Sequence, residues 1–319
     1  MFRSILSLLS PAGPHGRLSV LIFHRVPLHA DPLFPEEVDA DQFDRICGWL
    51  RAWFNVLPLD LAVRKLGEGT LPTRALAITF DDGYADNHDV ALPILRRHGL
   101  PATFFIATGF LDGGCMWNDA VIEAMRQCKA RSLDLTELGI DKLGRLGLDD
   151  TAQRRTAIDT VLNAIKYLPA GDRLAATQRI ASMAQVQAST DLMMTSEQVR
   201  GLHRGGMQIG AHTVSHPILA GLSDAAALAE IGDSKRRLEA ILDEPVRLFA
   251  YPNGRPGLDF SDRTVQLARE AGFEAAVTTA KGAADAKSDM FRLPRYTPWD
   301  RSRFRFGTRL GANLWASRR

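Results

Sequence analysis

Short apolar runs and longer amphipathic stretches take turns along most of the chain. Runs with the length and composition of strands occur at 18–24 (LSVLIFH), 75–81 (ALAITFD), 102–108 (ATFFIAT), 207–212 (MQIGAH), 246–251 (VRLFAY) and 274–279 (EAAVTT). They are nearly continuous in apolar character, which predicts strands covered on both faces. Between them, ADQFDRICGWLRAW sets Phe43, Ile46, Cys47 and Leu50 on one helical face, and DNHDVALPILRRHG runs to Gly99, a residue suited to a C-cap. The segments 223–244 and 261–272 each open on Ser-Asp, with the serine near the N-cap. This alternation predicts an α/β fold with a parallel sheet closed or nearly closed into a barrel.

The rhythm breaks from about residue 118 to 197, where only helical patterning is visible, as in TAQRRTAIDTVLNAIKYL and GDRLAATQRIASMAQV. That predicts an all-helical insertion between two barrel units, a cap or outer lobe rather than a linker. The expected organisation is an N-terminal segment over 1–17 and one large domain over 18–319 that carries the insertion.

Polar residues at strand ends carry the candidate chemistry. In LAITFDDGYADN (76–87) a strand ends in two adjacent carboxylates, Asp81 and Asp82, and Gly83 stops it. Two like charges at the rim of a core need a cation beside them or an exposed turn. Asp-Asp-Gly is also ordinary turn chemistry, so the dipeptide alone leaves both open. A second cluster, IGAHTVSHP (209–217), places His212 and His216 just past another strand. Their spacing lets both reach one ligand, although two hydrogen-bonded core imidazoles would look the same. Thr213 stands where a zincin helix would carry Glu, so that protease motif is not met.

Taken together, one Asp and the two histidines form a two-histidine, one-carboxylate set that suits zinc with an open position. A metal would supply the missing positive charge, with one Asp as ligand and the other left unligated as general base. Iron oxygenases use a similar set, but their carboxylate lies close to the first histidine and does not come as an Asp-Asp pair.

With these residues in view, TFDDGY (79–84) and HTVSH (212–216) resemble, in order and position, the first two motifs of the polysaccharide deacetylases with a NodB-type homology domain. These enzymes remove N-acetyl groups from amino sugars. The resemblance runs from about Leu18 to Arg295, interrupted by the insertion, and implies a distorted (β/α) barrel with fewer than eight regular strands. It implies Asp81 as base, Asp82, His212 and His216 as ligands of a divalent metal (Zn2+), and an N-acetylated carbohydrate as substrate.

Two departures stand out. In FAYPNG (249–254), Ala250 replaces an Arg that many members carry to steer the base; Arg295 in FRLPRY is the candidate to fill that space, with Arg292 a weaker one. The late strand, where many members place a Leu-x-His acid, reads RLPR and has no His. His24 is the candidate replacement for that acid. It ends the first strand, whose C-terminus opens at the same mouth as the others, and a branch resembling the poly-N-acetylglucosamine deacetylases also has a His there. The alternative is a hydrogen-bonded rim histidine.

In the family the main-chain N–H of the residue aligned with Asn253 serves the oxyanion, so Tyr251, Asn253 and Arg295 are the candidate substrate and oxyanion residues. Tyr251, Trp117 and Trp299 are aromatics that could stack on a sugar or fill the core. His88 and His98, within or at the end of the helix after the first motif, are expected to face solvent, and His15 and His203 have no motif around them.

Composition narrows the remaining classes. With 45% hydrophobic and 24% charged residues over 319 positions the chain is an ordinary globular one, and a net charge of +2 gives no reason to expect a nucleic-acid partner. Three cysteines, Cys47, Cys115 and Cys128, with no CxxC spacing point to reduced thiols. Arginines gather near the C-terminus, as a solvated face or a weak patch for an anionic group. The apolar N-terminal stretch MFRSILSLLSPAG is too short to span a membrane; a cytoplasmic protein is expected, with a peripheral membrane contact as the alternative. Two rival functions share the motifs: an amidase on a non-sugar N-acyl substrate, and a catalytically weak carbohydrate-binding protein that keeps the metal site.

Overall fold

The computed structural model describes residues 2–187 and 189–317. The chain divides into two compact units, one built from the segments up to His29, Glu36–Leu111 and Met194 onward, the other from Ala30–Pro35 and Asp112–Met193.

The first unit is a curled parallel sheet. Its strands are β1 (Leu18–Phe23), β2 (Asn55–Val56), β3 (Ala75–Phe80), β4 (Thr103–Ile106), β7 (Gln208–Ala211), β8 (Leu248–Ala250) and β9 (Ala275–Val277); β5 (Ser132–Asp134) and β6 (Arg145–Gly147) belong to the other unit. The path runs β1-β3-β4-β7-β8-β9, and the short β2 pairs with β3. All pairings are parallel, with Leu18 opposite Ala75 through to Phe23 opposite Phe80 at the β1–β3 seam. The six apolar runs read from the sequence therefore fall on the six strands of this path.

Period-two alternation sorts each strand into two faces. Leu18, Val20, Ala75, Ala77, Ala250 and Val277 gather in one cluster, the inside of the curled sheet. Leu21, Ile78, Phe80, Phe104 and Phe249 gather in another with the helices that cover the outside. These helices are α1 (Phe2–Leu9), α2 (Ala40–Trp53), α4 (Leu92–His98), α8 (Ser196–Arg204), α9 (Asp224–Leu242), α10 (Asp262–Glu270) and α11 (Arg303–Ala316), whereas α3 (Leu59–Gly67) packs Leu59, Ala62 and Leu66 into the inside cluster. Their ends follow the sequence signals: Ser223 and Ser261 cap α9 and α10, and Gly99 closes α4 at φ +64°.

Residues 293–296 bridge the gap between β9 and β1 without forming a regular strand. Leu293 bridges Val277 and Tyr296 bridges Leu21, both in parallel. Thr278 N–H donates to Leu293 O at 2.9 Å and Tyr296 N–H to Val20 O at 2.8 Å. Pro294 has no N–H to give, so a continuous ladder cannot form there. Arg295 lies within this bridge and is only 2% exposed.

Residues 2–17, set apart as a separate segment in the sequence reading, fold into this unit. Phe2 packs at 5.1 Å, with tilted rings, against Trp53 of α2 and meets Phe304 of α11 at 5.8 Å, while Leu6 is buried. Partners some 300 positions away in sequence explain why a local reading could not see this. No helix among the described residues is long and apolar enough to cross a membrane.

The second unit contains α5 (Trp117–Gln127), α6 (Thr151–Ile165) and α7 (Ala170–Met183) along with β5 and β6. The insertion is thus helical except for one antiparallel ladder, β5 with β6, three residues on each side. SLD and RLG are too short to show a period, which is why the sequence suggested helices alone. The unit also takes in the strap Ala30–Pro35: Asp31 makes a bidentate ion pair with Arg126 (2.9 and 2.6 Å), and Leu33 joins its core. Helix α8, which the expected boundary at 197 would have divided, lies wholly in the barrel unit.

Gly210 of β7 shows how tightly the inside is filled. A Cβ there would lie 2.4 Å from the Phe105 ring and 3.1 Å from Leu248 O. Gly210→Ala should lower the free energy of unfolding by about 1–3 kcal/mol, the cost of overpacking a core. Urea denaturation checks it; an unchanged midpoint would mean the space is there.

Candidate active site

The inward face of β3 runs Ala75, Ala77, Thr79 and then Asp81, which leaves the strand's C-terminal end buried at 3% exposure. Arg295 meets it from the bridging segment. Nη1 donates to Asp81 Oδ1 and Nη2 to Oδ2, both at 2.7 Å; Nη1 also reaches Thr79 Oγ1 at 3.2 Å, and Nε donates to Thr278 O at 2.8 Å. Both carboxylate oxygens are therefore oriented by a fork that cannot lose its charge. Burial alone would raise the Asp81 carboxyl; the Arg295 guanidinium, with help from His212, more than reverses this and holds it below the usual carboxylate range. The candidate substrate role of Arg295 is not what the structure supports: enclosed and fully engaged with Asp81, it steers the carboxylate.

Asp82 is also buried, at 7% exposure, and its Oδ1 has no hydrogen-bond partner among the described residues. That oxygen lies 3.4 Å from Nε2 of His212 and 3.4 Å from Nε2 of His216, beyond good hydrogen-bond length. One ligand atom from each of the three residues falls within 4.8 Å of the others. A cation bound tetrahedrally at about 2.0–2.1 Å places neighbouring ligand atoms about 3.3 Å apart, so the spacing fits a metal better than a bond between the groups. His212 Nδ1 is 2.7 Å from Ala250 O. A carbonyl only accepts, so Nδ1 carries the hydrogen and the lone pair of neutral His212 is on Nε2, toward Asp82.

Electrostatics agree with this reading. Burial pushes His216 down to about 4, which leaves a neutral imidazole free to ligate. Burial also works against charge on His212, but Asp81 and Asp82 outweigh it and raise its pKa. The cluster draws in positive charge, as a proton or a metal ion.

The backbone is held in costly conformations here. Asp82 (φ +78°), Thr213 (+66°), His216 (+53°) and Asn253 (+57°) are all non-glycine residues in the left-handed region.

His24 continues the inward alternation of β1 past its last residue and is exposed, near enough for its charge to act on Asp81, Asp82 and His216. Residues just after the twin acids fix its backbone, which no sequence pattern singles out. Asn87, in the same ADN that follows the twin acids, donates to His24 O at 2.8 Å. Asp86 accepts from Val26 N–H at 3.1 Å and from Arg25 Nε at 2.9 Å. The only sequence signal is two polar residues, Asp86 and Asn87, closing a strand-end motif.

Tyr251 is not available to a substrate. Its ring is fully buried and stacked on Phe260 (3.9 Å between centroids, 6° between planes), and its N–H donates to Val277 O. Two residues on, Asn253 opens a tight turn with Gly254 (φ +70°), fixed by Thr279 Oγ1 donating to Asn253 O at 2.8 Å. The Asn253 N–H donates to no described residue. Trp117 packs with Arg173 inside the second unit, whereas Trp299 is 59% exposed in the barrel unit. His88, His98 and His203 pair with Asp89, Asp44 and Glu244, outside the cluster.

Comparison with known proteins gives one answer. The polysaccharide deacetylase family model matches residues 68–132 and 160–276, more than half of the chain. YxkH of Bacillus subtilis (strain 168), whose name places it among the polysaccharide deacetylases, is 20% identical over 282 residues, covering 88% of this chain and 71% of that protein. Among solved structures, the Streptococcus pyogenes deacetylase PplD in complex with acetate has a TM-score of 0.58 at 22% identity, covering 88% of this chain and 92% of the other. IcaB from Ammonifex degensii has a TM-score of 0.58 at 17% identity, covering 97% and 98%. At such identities the structures speak for the fold, and the family match speaks for the class of enzyme. With that match spanning both TFDDGY and HTVSH, the chain belongs to the polysaccharide deacetylase family and is a hydrolase of that kind.

Proposed function

We propose that the protein is a metal-dependent deacetylase that hydrolyses the N-acetyl group of an amino sugar in a glycan, with Asp82, His212 and His216 holding a zinc ion. The observation that carries this is the buried, unpartnered Oδ1 of Asp82, 3.4 Å from two imidazole nitrogens and next in sequence to a carboxylate locked by Arg295. Zinc at this position would polarise an acetamide carbonyl and acidify a water.

The chain's own groups supply the proton transfers. Asp81 is the general base: its Oδ2 lies 4.0 Å from His212 Nε2, and a carboxylate oxygen that accepts from Arg295 keeps a further lone pair for a water proton. Arg295 keeps that carboxylate ionised and aimed, at the expense of some basicity. The Asn253 N–H is the donor for the developing oxyanion, and His24 delivers the proton that the departing amine requires. The balanced outcome is one water consumed, the amide C–N bond broken, and acetate and a free amino sugar formed.

The direct test is acetate release from a panel of N-acetylated glycans, with and without a chelator and with zinc restored. Release that a chelator abolishes and zinc recovers is expected; activity only on non-sugar N-acyl amides would move the substrate class, and zinc bound with no turnover would favour a binding protein.

Asp81→Asn should retain bound zinc yet lose roughly 10²–10⁴-fold in turnover, the loss typical of a general base. Parent-like activity would leave Asp81 a structural residue. His24→Ala should likewise keep its metal while turnover falls and the alkaline limb of the pH–rate profile changes. Metal analysis alongside the profile checks this, and an unchanged rate would remove His24 from the mechanism.

A further inference from the structure

Between the two histidines of the metal set runs the loop Thr213-Val214-Ser215. It starts and ends in unfavourable backbone, with Thr213 at φ +66° and His216 at +53°, and a β-branched residue such as Thr adopts that region only under constraint. The constraint comes from two sides. Past the end of β4, Thr108 N–H donates to Thr213 O at 3.0 Å and Gly109 N–H to Val214 O at 2.7 Å. From α9, Glu230 Oε2 accepts from Val214 N–H at 2.9 Å and from Ser215 N–H at 2.8 Å, while its Oε1 accepts from the Ser215 hydroxyl at 2.7 Å. The His216 N–H turns back to Thr213 Oγ1 at 3.1 Å, so the loop's own groups complete the set.

The structure assigns Glu230 as a positioning residue: by taking two successive N–H groups of this loop, its carboxylate fixes the His216 imidazole where Asp82 and His212 can share a cation with it. This rests on the reading of the metal centre proposed above. Three charge-assisted or hydroxyl bonds converge on one side chain, stronger than neutral ones would be. The helix that presents it is anchored, since Ala227, Ile231 and Leu238 of α9 are all buried. Ser215 is exposed, so water can satisfy the loop's N–H groups when the carboxylate is removed. The fold then survives while the loop loses its tether. On the opposite side, a Cβ at Gly109 would lie 2.6 Å from Val214 O, so Gly109→Ala should push the same loop and disturb the same histidine.

The experiment compares parent, Glu230→Gln, Glu230→Ala and Gly109→Ala by two readouts. Amide hydrogen exchange at Val214 and Ser215 is followed in the metal-free proteins, and zinc affinity is measured by competition with a chromophoric chelator. Protected amides in the parent, lost protection in Glu230→Ala, and a fall in zinc affinity of about 10–100-fold with a near-parental thermal midpoint are expected. Glu230→Gln, which keeps one acceptor oxygen, should fall between. Zinc affinity within twofold of the parent in Glu230→Ala, or amides equally protected in both, would overturn the assignment. A parent chain that binds no zinc would instead overturn the metal-centre reading, and the exchange data would still decide whether Glu230 holds the loop.

Discussion

Two adjacent carboxylates are buried at the end of one strand, and the barrel's mouth is organised around the cost of keeping them there. An ionised carboxylate removed from water needs a cation close by or it takes up a proton. Asp81 has its cation within the protein, the Arg295 fork at 2.7 Å on both oxygens. Asp82 has two imidazoles at 3.4 Å and no hydrogen bond to Oδ1. The difference between the neighbours separates them: one carboxylate is aimed and kept ionised, and the other, on the function proposed above, is left for an ion to complete.

That division depends on a piece of chain that is barely a strand. Residues 293–296 join β9 to β1 through Leu293 and Tyr296, and Pro294 keeps them irregular. Leu293 and Arg295, two positions apart, share the inward face, which carries the guanidinium to Asp81 across 214 residues of sequence. The carbonyl of Ala250 sets the hydrogen on His212. The left-handed backbone at Asp82, Thr213, His216 and Asn253 is concentrated at this same mouth. Such strain persists only where the surroundings over-determine it, as Glu230 and Gly109 do for the histidine loop.

The sequence is most readable where one residue type recurs at a short period. Apolar runs locate the strands of the main sheet, and the strand-end positions of Asp81, Asp82, His212 and His216 follow from them. Residues acting across long separations are harder to read. Arg295 reads as a stand-in for an absent Arg, yet its bidentate grip on Asp81 exists only once the sheet has curled. Tyr251 reads from sequence as either a sugar platform or a core aromatic, and only the stacking on Phe260 places its ring in the core. The strap at 30–35 has no period to read, and only the buried Leu33 and the Asp31–Arg126 pair show that it belongs to the insertion. Glu230 is invisible for a similar reason: a glutamate on an amphipathic helix looks solvated until the loop it serves is in place.

The central claim is that the Asp82 cluster is completed by a divalent cation. Calorimetric titration of the metal-free protein with zinc, beside Asp82→Asn, measures this directly. The account predicts one zinc per chain for the parent and a loss of affinity of at least about 100-fold when the carboxylate becomes a neutral amide of the same shape. Equal affinity in the two proteins, or no zinc bound by the parent, would contradict it.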